Sequence, residues 1–280
     1  MDEKHACGLR PALRAGSNVL GDEIVRVEGL SVGYNSDHLI LEDVSFSVRK
    51  GEIVAVLGHS GCGKTTLFKA LIGLLRPVKG TITIGGRTLG PDWSEQSIAE
   101  VRQQLGVLFQ SGSLLDWLTV GENVAFRLRE STDLPPELID QIVRFELEMV
   151  NLLPSMHSMP SELSGGMLRR AGLAAAMAFD PPVLLCDEPT SGLDPATARG
   201  IDQILLEVNQ CLNVTLLVVT HEVMTLENIA SRCMILDQEA KGIIASGSLD
   251  DLRNSSQDPR VRGFFQRRIS KEDNGTHQPF

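Results

Sequence analysis

No stretch of this sequence approaches the roughly 18 uninterrupted apolar residues that a membrane-spanning helix needs. The apolar segment at 214–219 is closed by Asn213 on one side and by Thr220 and His221 on the other. The opening MDEKHACGLRPALRAG has no apolar core of signal-peptide length, so the chain is expected to stay in the compartment where it is made. Basic charge is also in short supply. Lys and Arg total 26 against 36 Asp and Glu, a net charge of −10, which argues against the broad positive footprint of a DNA- or RNA-binding surface. The five cysteines, Cys7, Cys62, Cys186, Cys211 and Cys233, are scattered and form no C-x-x-C pair, a usage expected of reduced cytosolic thiols rather than of disulfides or zinc ligands. Internal repeats, low-complexity tracts and the N-K-x-D string that reads guanine are all missing. What is present, 42% hydrophobic and 22% charged residues over 280 positions, is an ordinary globular composition. A chain of this length can bury about 75% of its unfolded surface.

The apolar pattern alternates short strands with amphipathic helices. Strand-like runs at 24–30, 44–48, 53–57 and 81–84 precede a mostly helical block between Ser94 and Ser161, in which Leu138, Ile139, Ile142, Val143, Leu147 and Val150 predict a helix over 137–152. The alternation then resumes with strands at 183–186, 214–219 and 233–236 and a helix over 196–212. This predicts an α/β fold with a mostly parallel sheet covered by helices. Residues 1–22 are expected to be an irregular tail, 23–250 the main domain with a helical subdomain at about 94–165, and 251–280 a C-terminal extension.

The segment 58–65 reads GHSGCGKT and lies between the apolar run 53–57 and a helix-forming segment that starts at Thr66. A strand that enters a Gly-rich turn and then a helix aims backbone N–H groups and the positive end of a helix dipole at one point, which suits a triphosphate. Gly58, His59, Ser60, Gly61, Cys62, Gly63 and Thr66 would line that loop, Lys64 would reach the β- and γ-phosphates, and the Thr65 hydroxyl would ligate Mg²⁺. A second apolar run, Val183-Leu184-Leu185-Cys186, ends in Asp187 and Glu188. At the carboxyl edge of a parallel sheet, Asp187 would complete the metal shell and Glu188 would orient or deprotonate an attacking water. Cys62, two residues before Lys64 at a helix mouth, is expected to carry an activated thiol that a bound triphosphate protects from alkylation.

Further along stands Leu163-Ser164-Gly165-Gly166-Met167, with Gln110 after a short strand-like run at 107–109, Ser191-Gly192-Leu193-Asp194 after the two acids, and His221 after the later strand 214–219. Singly, His221 reads as a capping or core histidine, Gln110 as a surface amide and Tyr34, the only tyrosine, as a half-buried ring. In this order, over about residues 24–250, they resemble the nucleotide-binding subunit of ABC transporters. The resemblance implies a P-loop fold with a RecA-like parallel-sheet core, an N-terminal antiparallel β subdomain and a helical subdomain, acting as an ATPase on ATP and Mg²⁺. It implies that Ser164, Gly165 and Gly166 embrace the γ-phosphate bound to a second copy in a head-to-tail dimer, and that Asp194 lies in the dimer seam. It further implies that Gln110 senses Mg²⁺ and the attacking water, that His221 contacts the γ-phosphate and that Tyr34 stacks on adenine.

Met167 in the signature, the strings LFQSGSLLDWLTVGENVAF and LSGGMLRRAGLAAA, and DPRVRGFF at 258–265 look most like the MlaF-type ATPases of Mla/Mce lipid transport systems. That branch implies a MlaE-type permease, an MCE-domain protein in the same system, and a peripheral position on the inner face of the cytoplasmic membrane. Departures from the family pattern, the longer N-terminal tail, Cys62 and Cys186, remove no catalytic group. The basic C-terminal piece, with Arg260, Arg262, Arg267, Arg268 and Lys271 around Phe264, Phe265 and Ile269, is either a solvated helix with one apolar stripe packed on its own domain or a subunit contact carrying exposed phenylalanines. The alternatives are a soluble ABC ATPase working on nucleic acid or ribosomes, an ABC importer of a small solute, and a P-loop GTPase or kinase. The last would leave the LSGG element without a purpose. Cargo and transport direction are not written in this subunit.

Overall fold

The computed structural model describes residues 23–35, 38–110, 112–221 and 229–265. The N-terminal tail, Cys7 and the basic positions Arg267, Arg268 and Lys271 lie outside them. Strands β1 (Glu23–Asn35) and β2 (His38–Arg49) pair antiparallel, and β4 (Lys79–Ile84) and β5 (Arg87–Leu89) extend them into a sheet of order β2-β1-β4-β5. Both long strands run well past the apolar runs 24–30 and 44–48. Their pairing continues through repeated register shifts, which carry polar residues along the strand and break the sequence periodicity.

The second sheet contains β3 (Ile53–Gly58), β6 (Leu105–Leu108), β7 (Val183–Asp187), β8 (Thr215–Val219), β9 (Arg232–Asp237) and β10 (Gly242–Gly247), in the order β10-β9-β3-β8-β7-β6. All neighbours are parallel except β10, which returns antiparallel along β9. The central strands are apolar at nearly every position because both faces are covered. Ile53, Ala55 and Leu57 of β3 face one core together with Leu216 and Val218 of β8, while Val54 and Val56 face the other with Leu217 and Val219. The first core lies under the helices, the second under the antiparallel sheet and helix α1 (Lys64–Leu71).

Helix α2 (Glu95–Gln103) packs on β5 and β6, so the block expected over 94–165 is not helical throughout. Its β6 belongs to the parallel sheet, and the helical insert proper lies between β6 and β7. There, α3 (Val120–Ser131) starts on a reciprocal cap between Thr119 and Glu122 and packs against α4 (Pro136–Met149) and α5 (Gly165–Met177). The helix predicted to Leu152 stops at Met149 because Asn151 turns left-handed at φ 53°, and Leu138 faces solvent instead of the core. Helix α6 (Pro195–Leu212) begins on an Asp194 cap with Pro195 in its first turn and leads into β8.

Of the two C-terminal readings, the structure bears out the helix whose apolar stripe packs on its own domain. After α7 (Leu249–Asn254), residues 259–265 are helical, and Phe264 and Phe265 are only 1% and 4% exposed. They point into their own domain and stack edge to face at 5.3 Å, so they do not form an exposed apolar patch for a second subunit. Arg260 pairs with Asp237 at the end of β9 at 3.4 Å and fastens the helix to the sheet. Phe264→Ala should therefore destabilise the isolated chain by about 3–5 kcal/mol, read from urea unfolding.

Candidate nucleotide site

Four loops meet at the carboxyl edge of the parallel sheet: those after β3, β6, β7 and β8. They enclose a cavity of about 440 Å³ lined by Ser60, Gly61, Gly63, Lys64, Thr65 and Thr66 from the phosphate loop, and by Gln110, Asp187, Glu188 and His221 from the other three. Tyr34 and Ile40 of the antiparallel sheet close one side. Tyr34 is 64% exposed, with the Lys69 ammonium 5.9 Å from its ring centroid, so it is an open aromatic face and not a core ring. Ile40 was not anticipated. It sits in the partly buried β2, and nothing in its local sequence separates it from the other apolar strand residues.

The loop reaches its shape through Gly63, which caps α1 at φ 104°, a conformation that L side chains rarely adopt. The Lys64 ammonium donates to the carbonyls of Gly58 at 2.8 Å and His59 at 3.0 Å, which holds its charge at the loop mouth. Two members of the expected loop set turn their side chains elsewhere. The His59 ring leans on Phe264 at a centroid distance of 5.2 Å. Cys62 is 2% exposed and packs in the core beneath the antiparallel sheet. Burial pushes its thiol pKa up and outweighs the nearby Lys64, so the expectation of an activated thiol is overturned. Both can serve a phosphate only through backbone N–H groups.

Asp187 ends β7 and Glu188 follows it directly. Burial, and then the neighbouring Glu188 charge, push the Asp187 carboxyl above the usual range, while Lys64 and Lys69 pull it back. Glu188 lies in the left-handed region at φ 49°. Its N–H donates to Val219 O at 2.7 Å, and its carboxylate accepts from the Thr220 hydroxyl at 3.2 Å and the His221 N–H at 3.3 Å. The His221 ring completes the arrangement, Nδ1 to Glu188 Oε1 at 2.6 Å. A carboxylate fixed from three directions at the edge of a cavity is suited to take a proton from a water inside it. Thr220, which helps to aim it, escaped the sequence reading; its place beside His221 was the only signal.

The remaining expected residues lie outside the cavity lining. Ser164 caps α5, accepting from Met167 N–H at 3.3 Å, and both it and Gly165 are exposed, while Gly166 is buried against α6. The Asp194 carboxylate accepts from the N–H groups of Ala196 and Thr197 and from the Thr197 hydroxyl.

Comparison with known proteins agrees with this geometry. Residues 41–191 match the ABC transporter family. The intermembrane phospholipid transport system ATP-binding protein MlaF of Haemophilus influenzae is 40% identical over 247 residues, covering 88% of this chain and 92% of the relative. MlaF of Escherichia coli K12 is 42% identical over 226 residues, covering 81% and 82%. The methionine import ATP-binding protein MetN of Carboxydothermus hydrogenoformans is 37% identical, covering 89% and 73%. Among solved structures, the dimeric ATP-binding cassette MJ0796 in a post-hydrolysis state with ADP and Pi superposes with a TM-score of 0.72 at 27% identity, covering 80% of this chain and 98% of that one. The cbiO1 protein of Clostridium perfringens, part of the ABC transporter complex cbiONQ, gives 0.74 at 26% identity, covering 91% and 96%. The chain belongs to the ABC transporter family. It is the ATP-binding subunit of a membrane ABC transporter and an ABC-type ATPase.

The burial of Cys62 is directly testable by peptide mapping after a short maleimide pulse. The native protein should label at Cys62 far more slowly than the unfolded protein, and Mg-ATP should add little further protection. Rapid native labelling at this residue would contradict the packing described.

Proposed function

We propose that this ATPase energises the movement of phospholipid or another hydrophobic cargo between membranes, as two copies sharing their nucleotide sites beneath a MlaE-type permease. The observation that carries the shared-site reading is that Ser164 and Gly165 are exposed at the start of α5 yet line no part of their own chain's cavity, so a second copy can receive them. The dimeric state named for the MJ0796 cassette supports it, and the two MlaF relatives support the lipid cargo.

In this reading Lys64 and the loop N–H groups hold the β- and γ-phosphates, Tyr34 stacks on adenine, and His221 both aims Glu188 and contacts the γ-phosphate. Glu188 takes the proton of the attacking water. Mg²⁺ fits the donors present: a hydroxyl at Thr65, one carboxylate at Asp187 and the Gln110 amide, with remaining positions left to phosphate and water oxygens. A divalent cation would also relieve the crowding of Asp187 and Glu188. When bound, it neutralises charge on the phosphates. Ser164, Gly165 and Gly166 of the second copy close over the γ-phosphate, with Asp194 in the seam.

An apolar groove of about 490 Å³ begins at Phe109, next to Gln110, and runs past Leu114, Leu115, Phe126 and Leu74. Arg102 and Arg127 in its wall donate to backbone carbonyls, so the open face stays apolar. We assign it to a short cytoplasmic helix of the permease, which would place the subunit on the inner face of the cytoplasmic membrane. An MCE-domain protein of the same system would carry the cargo onward. Residues Arg267, Arg268 and Lys271 remain the proposed subunit contact of the C-terminal extension.

Glu188→Gln should keep ATP binding and lower turnover by about 10²–10⁴-fold, the usual effect of losing a general base. Near-normal hydrolysis by the purified transporter would remove Glu188 from its role. Lys64→Ala should instead weaken nucleotide binding itself.

The isolated subunit should be a poor ATPase that a co-expressed permease activates, and Ser164→Arg should abolish hydrolysis by the assembled complex without preventing ATP binding to its own loop. Full hydrolysis by the lone subunit at any concentration would favour a soluble ABC ATPase. The MetN relative keeps a small-solute importer as the second reading. ATP-driven transfer of labelled phospholipid between proteoliposomes decides against it, and uptake of a small solute without lipid transfer decides for it.

A further inference from the structure

We propose that Arg169 is a positioning residue that ties the signature segment of α5 to the two loops holding the hydrolytic groups of the same chain. Arg169 is 8% exposed, and its Nε has no hydrogen-bond partner among the described residues. Its two other nitrogens reach out in different directions, Nη1 donating to Phe109 O and Nη2 to Ser191 O, each at 3.4 Å. Phe109 immediately precedes Gln110. Ser191 lies in the turn between Glu188 and Asp194 and donates its own N–H to Glu188 O at 3.2 Å. One guanidinium therefore spans both loops from a helix whose first residues lie outside the cavity.

The backbone around it is locked in the same sense. A Cβ added to Gly112 would come within 2.9 Å of Leu168 O, and one on Gly172 within 2.5 Å of Gly112 O, so α5 and the segment after Gln110 touch main chain to main chain. A Cβ on Gly166 would collide with Thr197, whose hydroxyl donates to Asp194 Oδ2 at 2.5 Å. The signature glycine thus leans on the residue that holds Asp194. Burying a guanidinium for two long carbonyl bonds is a poor way to stabilise a fold, since an apolar side chain of similar volume would avoid the desolvation cost. What the arrangement does achieve is mechanical. When α5 shifts as a second copy's nucleotide engages Ser164, Gln110 and Glu188 of the same chain must shift with it, which links hydrolysis at one site to occupancy of the other.

This rests on the shared-site reading for its second half only; Ser164→Arg tests that reading separately, while the effect of Arg169 on its own chain's turnover stands without it. The test compares R169M and R169K in the assembled transporter for kcat, KM for ATP, affinity for a fluorescent ATP analogue and Tm. R169M should lower kcat by about tenfold or more, because small misplacements of catalytic groups are costly, with nucleotide affinity kept within about twofold. R169K, which keeps a cation able to reach one carbonyl, should recover part of that loss. A kcat for R169M within about twofold of the parent, or a parallel loss of kcat and nucleotide affinity, would overturn the proposal. If R169M does not fold, T197V removes the hydroxyl that holds Asp194 while keeping side-chain shape. It should lower kcat at unchanged nucleotide affinity, and an unaltered kcat would count equally against the coupling.

Discussion

Covering both faces of the six-stranded sheet is the constraint from which the rest of this structure follows. With helices on one side and the antiparallel sheet on the other, β3, β7 and β8 have no solvent-facing side, and their side chains must be apolar nearly throughout. Polar chemistry is thereby driven to the strand ends. Because the parallel strands point the same way, the ends of β3, β6, β7 and β8 open onto one edge, and the phosphate loop, Gln110, Asp187, Glu188 and His221 come together without being close in sequence.

That convergence creates an electrostatic conflict which the local geometry manages. Two adjacent carboxylates repel, and burial disfavours the Asp187 charge; the result is visible in its raised pKa. Glu188 is kept in a backbone conformation that costs on the order of 1–3 kcal/mol for a side-chain-bearing residue. Its amide is tied to Val219 and its carboxylate to Thr220 and His221, so the strained orientation is over-determined by β8 and the loop after it. The group is aimed before any substrate arrives, which is the condition under which a positioned base is most effective.

The continuous apolar strands were legible in the sequence because burial on both faces leaves an unbroken hydrophobic run, and the phosphate loop because glycine at 63 answers a backbone demand that no other residue meets well. The antiparallel strands were read too short, since register shifts between β1 and β2 scramble the alternation that marks a strand. Strand β6 showed as the apolar 107–109 before Gln110, but its true bounds, Leu105–Leu108, start two residues earlier, because the flanking helices α2 and α3 dominate any longer window. The side-chain directions of His59 and Cys62, and the choice between own-domain packing and a subunit contact for Phe264 and Phe265, lay beyond the sequence. Cys62 is buried beneath the antiparallel sheet, the His59 ring meets Phe264 some two hundred residues away, and no local pattern encodes whether a helix end faces a partner subunit or its own sheet.

The strand order also has a consequence for how the chain matures. Strand β3 and its phosphate loop are made early, yet the two strands that flank β3, β8 and β9, begin at Thr215 and Arg232. On a ribosome, most of the polypeptide must therefore have emerged before the loop acquires its walls. The contact between His59 and Phe264 comes later still. Nascent chains stalled before residue 215 would hold the whole GHSGCGKT segment without its flanking strands, so nucleotide capture in this protein marks the end of synthesis and not its midpoint.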